Sequence, residues 1–173
     1  MRMMALSKVY QLLEPGPVVL LTTAARGAAN VMTMSWYMMV EFEPPQVACV
    51  VSSANYSFVA LRDRRECVIA IPSADLAPIV VRSATRPAAT STSLQHRGLT
   101  PLLSTHVAAP LVKECFANLE CKVIDMRLVN KYNLFILSVL KALTVSASKA
   151  IHHCGYSKFI VDGETVKLKS QMR

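Results

Sequence analysis

Glycine is scarce in this 173-residue chain, with five in all. Glycine-rich phosphate loops of the G-x-x-x-x-G-K-[ST] and G-x-G-x-x-G kinds are therefore excluded, and neither pattern occurs. No G-x-S-x-G elbow and no H-E-x-x-H run is present, which removes the common hydrolase and zinc-protease signatures. Acids are few, 11 against 19 Lys and Arg. No Asp or Glu pair stands in a polar cluster suited to acid–base work. Glu41 and Glu43 precede Pro44-Pro45 and read as a solvated turn. With one Trp, five Tyr and five Phe, and no interleaving of basic and aromatic residues, the chain lacks a stacking platform for nucleic acid despite its net charge of +8. Nor is there a run of about 20 apolar residues, the length a spanning helix needs. The stretch 27–40 carries Asn30, Thr33 and Ser35, and the stretch 44–61 is broken by Pro44-Pro45 and Ser52-Ser53-Ala54-Asn55. The N-terminus has no long apolar region and no small-residue cleavage site. No membrane and no nucleic acid are expected as partners, and the expected location is cytoplasmic.

What is present is apolar material. Apolar residues make up 53% and charged residues 17%, with a mean hydropathy of +0.36. That balance excludes a disordered chain and supplies a sizeable core for one domain spanning 1–173. Five cysteines stand at 49, 67, 115, 121 and 154, with no C-x-x-C pair. Cys49 and Cys67 lie in apolar runs, the setting of a buried free thiol in a reducing compartment. His152-His153-Cys154 has no second ligand cluster to complete a metal site, so no metal is expected. Between Asp75 and Glu114 there is no acid, while Arg82, Arg86, Arg97 and Lys113 fall inside or at the edge. Such a field suits a small phosphate-bearing ligand, or a plain solvated surface.

Strand-like runs dominate the chain. Val18–Thr23, Asn30–Met39, Gln46–Ser52, Cys67–Ile71, Leu134–Leu143 and Lys158–Val161 are apolar or alternating. Leu119, Cys121 and Val123 alternate with Glu120 and Lys122, as in a half-exposed strand. The polar phase then shifts to Asp125 and Arg127, which predicts a bulge. Asp162-Gly163 reads as a tight turn into Thr165–Leu168. Helical spacing marks Met3–Leu13, stopped by Glu14-Pro15-Gly16-Pro17, and Tyr56–Arg65. A third helix, Ala74–Val81, follows Ser73 but contains Pro78, so it kinks or starts late. Ser83–Ser93 reads as a loop. Many short strands with few helices predict a closed antiparallel barrel with flanking helices.

Two polar patches interrupt this apolar pattern. The first is Asn30-Val31-Met32-Thr33-Met34-Ser35-Trp36, with Met32, Met34 and Trp36 on one strand face and Thr33 and Ser35 on the other. It suits a flat, partly polar ring, or a half-buried strand with satisfied hydroxyls. The second is Ser52-Ser53-Ala54-Asn55-Tyr56-Ser57, which opens a helix. Hydroxyls and free amides there make an anion site, or an ordinary N-cap by Asn55 or Ser57.

Together the two patches, with Glu43-Pro44-Pro45 between them, resemble the flavin reductase-like, FMN-binding split-barrel family, particularly its flavoredoxin branch. The block Glu66-Cys67-Val68-Ile69-Ala70-Ile71-Pro72, then Asn130-Lys131-Tyr132-Asn133-Leu134-Phe135, then His152-His153-Cys154-Gly155-Tyr156 follow in the family's order. The resemblance implies a mainly β fold, a Greek-key split β-barrel with short flanking helices. It implies FMN as cofactor and a homodimer. It also implies an oxidoreductase moving electrons from NAD(P)H, or from a redox protein, through FMN to an acceptor. Asn30, Met32, Thr33, Met34, Ser35 and Trp36 would line the ring and ribityl chain. Ser52, Ser53, Asn55, Tyr56 and Ser57 would hold the ribityl and phosphate, with Arg86 as a further phosphate partner. His153 and Asn133 would stand as catalytic residues where the electron donor approaches. The loop from Ser83 to Ser91 lacks the Gly and the Asp-Lys pair that relatives carry there, and Lys131-Tyr132-Asn133 stands where short flavin reductases have Gly-Asp-His. A non-catalytic electron carrier and a pyridoxamine phosphate oxidase-like protein are the alternative readings.

Overall fold

The protein is described by a computed structural model covering residues 1–85, 94–146, 148–156 and 158–166. After a short β1 (Arg2–Met4) and a 3-10 turn at Leu6–Lys8, α1 (Tyr10–Leu13) ends at the predicted Glu14-Pro15 stop. The single helix expected over Met3–Leu13 is thus divided, because Arg2–Met4 pair with Ala142–Thr144 and the ladder overrides local helical spacing. Four strands follow, β2 (Val19–Ala25), β3 (Ala28–Met34), β4 (Tyr37–Phe42) and β5 (Pro45–Val50). The one strand expected over Asn30–Met39 is therefore two, broken at Ser35-Trp36. Next come α2 (Tyr56–Arg64), β6 (Glu66–Ile71) and α3 (Ala77–Thr85), which starts late, after a 3-10 turn at Ala74–Leu76, so that Pro78 falls in its first turn. Beyond it lie β7 (Pro101–Leu102), β8 (Leu111–Val112), β9 (Ala117–Asp125), α4 (Val129–Tyr132), β10 (Leu134–Thr144), β11 (Ile151–His153) and β12 (Phe159–Val161).

Eight strands form one antiparallel sheet, in the order β3-β2-β6-β9-β10-β5-β4 with β1 added on β10, while β7 with β8 and β11 with β12 pair separately. Its spine is β10. One edge of β10 meets β9 along its length, while the other meets β5 over Leu134–Ser138 and β1 over Ala142–Thr144. The sheet forks there. The predicted bulge is present, since Ile136 faces Asp125 but Leu137 faces Val123, leaving Ile124 extra. Among the described residues no ladder joins β3 to β4, so the barrel is split rather than closed by hydrogen bonds. Val19 and Leu21 of β2, with Cys67, Ile69 and Ile71 of β6, point into the barrel core, where Phe58 meets Phe135 edge-on at 5.5 Å. Leu20, Val68 and Ala70, on the opposite faces, pack with Val80 of α3 and with Leu99, Leu111 and Ile151 in an outer layer. These strands are buried on both sides, which is why their sequences run apolar without alternation.

Two further expectations are corrected. The turn of the last hairpin lies between β11 and β12, where the Cys154 amide bonds the Lys158 carbonyl, and not at Asp162-Gly163; Gly155 takes φ +88, and β12 ends at Val161 with no strand over 162–166. Lys167 and Leu168 lie outside the described residues. Glu120 is not on a solvent face but fully buried, because the segment 104–109 folds over it. No helix among the described residues is long and apolar enough to cross a membrane.

Candidate functional site

The site is built where β3, α2 and α3 meet. Asn55 occupies the N-cap of α2 with extended backbone, but its side chain makes no capping hydrogen bond. Ser57 does not cap either, because its hydroxyl accepts a 2.8 Å bond from the Asn30 amide, both groups being buried. The first-turn amides of Tyr56 and Ser57 therefore stay open, as helix N-terminal amides do without a cap. They border a cavity of about 290 Å³ between β3 and α3, lined by Asn30, Met32 and Thr33 on one side and by Ser83 and Ala84 on the other.

Among the described residues, two buried polar atoms at this cavity have no hydrogen-bond partner, Asn30 Oδ1 and Ser83 Oγ. Orphaned polar atoms of this kind are costly and rare in a packed protein. Thr33 donates to the Val80 carbonyl at 2.6 Å, and so ties the floor of the groove to α3.

A second cavity, about 160 Å³, adjoins the first through Thr33 and Ala84. It ends at Ser35, His153 and Phe159, apolar on most sides. The His153 and Phe159 rings lie 5.3 Å apart, centroid to centroid. Both ride on the β11–β12 hairpin, which is clipped to the body of the fold. The His152 ring bridges the Gly16 carbonyl (3.2 Å) and Asp162 Oδ1 (2.6 Å), and Asp162 Oδ2 accepts from the Ala150 amide at 2.7 Å. Partial burial opposes charge on Asp162, but the Ala150 amide and the His152 imidazole hold its carboxyl below the usual carboxylate range. Among the described residues, no three His, Cys, Asp or Glu side chains gather as a metal set.

Of the residues singled out in the sequence, Asn30, Met32, Thr33, Asn55, Tyr56 and Ser57 line the larger cavity, and Ser35 and His153 the smaller. Met34 is buried in the barrel core and lines neither cavity. Trp36 is 73% exposed beyond the end of β3, where its carbonyl accepts from Val50 at 3.0 Å. Ser52 and Ser53 form the exposed turn before α2, and the Ser52 hydroxyl accepts from the Ala54 amide. Asn133 takes a left-handed φ of 56 after α4 and bonds the Val51 amide through its carbonyl; it lines neither cavity. Arg86 lies outside the described residues. Sequence reasoning missed Ser83, Ala84 and Phe159. Ser83 reads as part of a loop, and nothing in its neighbours shows that α3 turns it toward Asn30.

The fold has solved counterparts. The chain superposes on an FMN-binding domain of a flavin reductases-like enzyme from Shewanella baltica with a TM-score of 0.89 and 23% identity, covering 97% of each chain. It superposes on the flavoredoxin of Desulfovibrio vulgaris (Miyazaki F) with a TM-score of 0.82 and 20% identity, covering 91% and 92%. In sequence it is 30% identical over 111 residues to an uncharacterised protein of Archaeoglobus fulgidus, a segment spanning 64% of this chain and 63% of the relative. Residues 12–157, which include every residue of the groove except Phe159, match the flavin reductase like domain. On that match, and on a split barrel with its groove at β3 and α2, the chain belongs to the flavin reductase-like family.

Proposed function

We propose that the paired cavities bind FMN and that the protein is a flavin-dependent oxidoreductase, passing electrons from NAD(P)H or a redox protein to an acceptor. The carrying observation is the pair of buried groups left without a partner among the described residues, Asn30 Oδ1 and Ser83 Oγ, set at a cavity beside the uncapped N-terminus of α2. A phosphate-bearing ligand offers donors and acceptors to such groups, and its negative charge is favoured at a helix N-terminus. In this reading the amides of Tyr56 and Ser57 hold the phosphate, and Asn30 Oδ1, an acceptor, takes a hydrogen bond from a ribityl hydroxyl. The narrower cavity, bounded by Val18, Ser35 and Phe159, takes the ring. The neighbouring structures support the choice of cofactor, one being an FMN-binding domain and another a flavoredoxin.

When bound, FMN supplies the redox chemistry, accepting a hydride or single electrons. The chain's own residues supply position and environment. Backbone amides around Thr33 and Ser35 can face negative charge that develops on a reduced ring. His153 docks the donor or holds a proton at the open end, and Phe159 keeps water from one side. Asn133 stands apart from this arrangement, so its part is limited to holding Val51 and the turn before α2. Titration of the purified protein with FMN, followed by flavin fluorescence, tests the reading. Saturable quenching supports it, and an unquenched flavin refutes it.

A homodimer fits the same reading. The outer edge of β4 is unpaired among the described residues, and Trp36, Met38, Val40 and Phe42 are exposed along it at alternate positions. A row of that kind needs cover. The five cysteines form no disulfide, which agrees with a reducing, cytoplasmic setting.

A further inference from the structure

Three consecutive residues before β2 are each tied to a distant part of the chain. The Val18 amide donates to the Ile151 carbonyl at 2.7 Å. The Pro17 carbonyl accepts from the Tyr37 hydroxyl at 2.6 Å. The Gly16 carbonyl faces Nδ1 of His152 at 3.2 Å. The turn itself is stiff. Pro15 and Pro17 fix φ on either side, and Gly16 holds φ +74, a conformation that a side chain would strain. Tyr37 reaches the turn from the first position of β4, beside the exposed Trp36, and His152 reaches it from β11. Two side chains from opposite flanks thus grip adjacent carbonyls of one rigid turn.

What the turn carries is the wall of the smaller cavity. Val18 lines that cavity with His153 and Phe159. His152 and His153 are neighbours on β11 and so point to opposite faces, His152 to Gly16 and Asp162, His153 to the cavity. The β11–β12 hairpin pairs three residues with three, and a two-stranded hairpin of that size is marginal alone. Where His153 and Phe159 stand is therefore set by what the hairpin is tied to. Both partners of the His152 ring are acceptors, so its N–H groups are engaged in holding the strand. Burial pushes the Tyr37 phenol up, so it keeps its proton and donates. Neither Tyr37 nor His152 lines the flavin groove.

We propose that Tyr37 and His152 are positioning residues of the ring cavity, acting through the carbonyls of Pro17 and Gly16 to set where Val18, His153 and Phe159 stand. The consequence for a flavin rests on the reading of that cavity as the ring site; the geometry of the turn stands without it. Redox chemistry on a bound ring depends steeply on placement, so residues that touch neither flavin nor donor still govern it.

The test uses the full chain as wild type, as Tyr37→Phe and as His152→Ala. Tyr37→Phe removes one oxygen and leaves the ring in place, so it serves even where His152→Ala disturbs the hairpin. In the first arm no flavin is added, and NMR of the histidine ring protons follows His153, one of four histidines. Its resonances carry the ring current of Phe159, 5.3 Å away, and both variants should move them toward their unfolded positions. In the second arm FMN is bound. Both variants should shift the visible flavin band toward that of free flavin, with FMN affinity within about twofold of wild type, since the phosphate end at α2 is untouched. Bonds that only stabilise the fold would lower the urea midpoint and leave the His153 resonances and the flavin band in place, and that result overturns the proposal while the flavin reading stands. A wild-type chain that binds no FMN overturns the flavin reading instead, and the His153 resonances then decide the positioning alone.

Discussion

Asn30 and Ser57 are 27 residues apart and meet at 2.8 Å, at the end of the groove where the FMN proposal puts the phosphate. Removing either side chain leaves the other as a buried polar group with no partner. Asn30→Ala or Ser57→Ala should therefore weaken FMN binding by about 1–3 kcal/mol, the cost of an unsatisfied group beside a charged ligand. A fluorescence-quenching titration measures it, and unchanged affinity in both variants would put the phosphate elsewhere. Asn55→Ala should cost less, because its side chain caps nothing and only borders the cavity. Thr33→Val removes the bond to the Val80 carbonyl and should destabilise the fold by roughly 0.5–1.5 kcal/mol in urea unfolding. The residue types at these positions were legible in the sequence, as hydroxyls and amides in two polar patches. Their pairing was not, since a contact across 27 residues leaves no local period or spacing. Met34 and Trp36 show the converse. The alternation that puts Met32, Met34 and Trp36 on one face holds to the end of β3, then fails where the chain bends at Ser35-Trp36 into β4.

At the scale of elements, two carboxylates hold down segments that the apolar pattern alone would leave loose. Glu120 accepts from the amide and hydroxyl of Thr105 and from the amide of His106, and so anchors the segment after β7. Its burial opposes charge, but those donors hold its carboxyl below the usual range. Asp162 does the same for the β11–β12 hairpin. Both groups have a folded pKa lower than the unfolded one. Their contribution is therefore present above the unfolded carboxyl range, about 3.9 to 4.3, and is lost as pH falls through the lower folded value. Amides of Ile151–His153 should exchange faster with deuterium as pH falls below about 4, after correction for the intrinsic rate. Asp162→Asn should bring that loss of protection to neutral pH. If the variant's hairpin is protected as well as the wild type's at pH 7, the clip is not what holds it. Neither anchor was legible beforehand. Glu120 sits in an alternating strand and reads as solvent-facing, and only the packing of 104–109 over it shows otherwise. The longer strands were legible, β2, β5 and β6 as apolar runs bounded by turn residues, whereas the short β1, β7, β8 and β11 were not. The N-terminal helix was misread because β1 gains more from pairing with β10 than from helical spacing.

For the whole molecule, an apolar chain with few charges buries most of its excess in two layers, the barrel core and the α3 side. The row of Trp36, just before β4, and Met38, Val40 and Phe42 on it remains outside both. If that row is a subunit contact, sedimentation at micromolar concentration should give about twice 19.0 kDa. Met38→Glu with Phe42→Glu should shift it to the monomer and weaken FMN binding. A wild-type monomer that binds FMN tightly would remove the dimer from the account. The family resemblance covered the chain because its blocks are ordered along the barrel strands, and strand order is what a split barrel preserves. The most direct test of the central claim is the visible spectrum of the protein mixed with increasing FMN and then freed of unbound flavin. A yellow protein retaining about one FMN per chain is expected, with retention lost in Asn30→Ala. A colourless wild-type protein that leaves the free flavin spectrum unchanged at saturating FMN would contradict it.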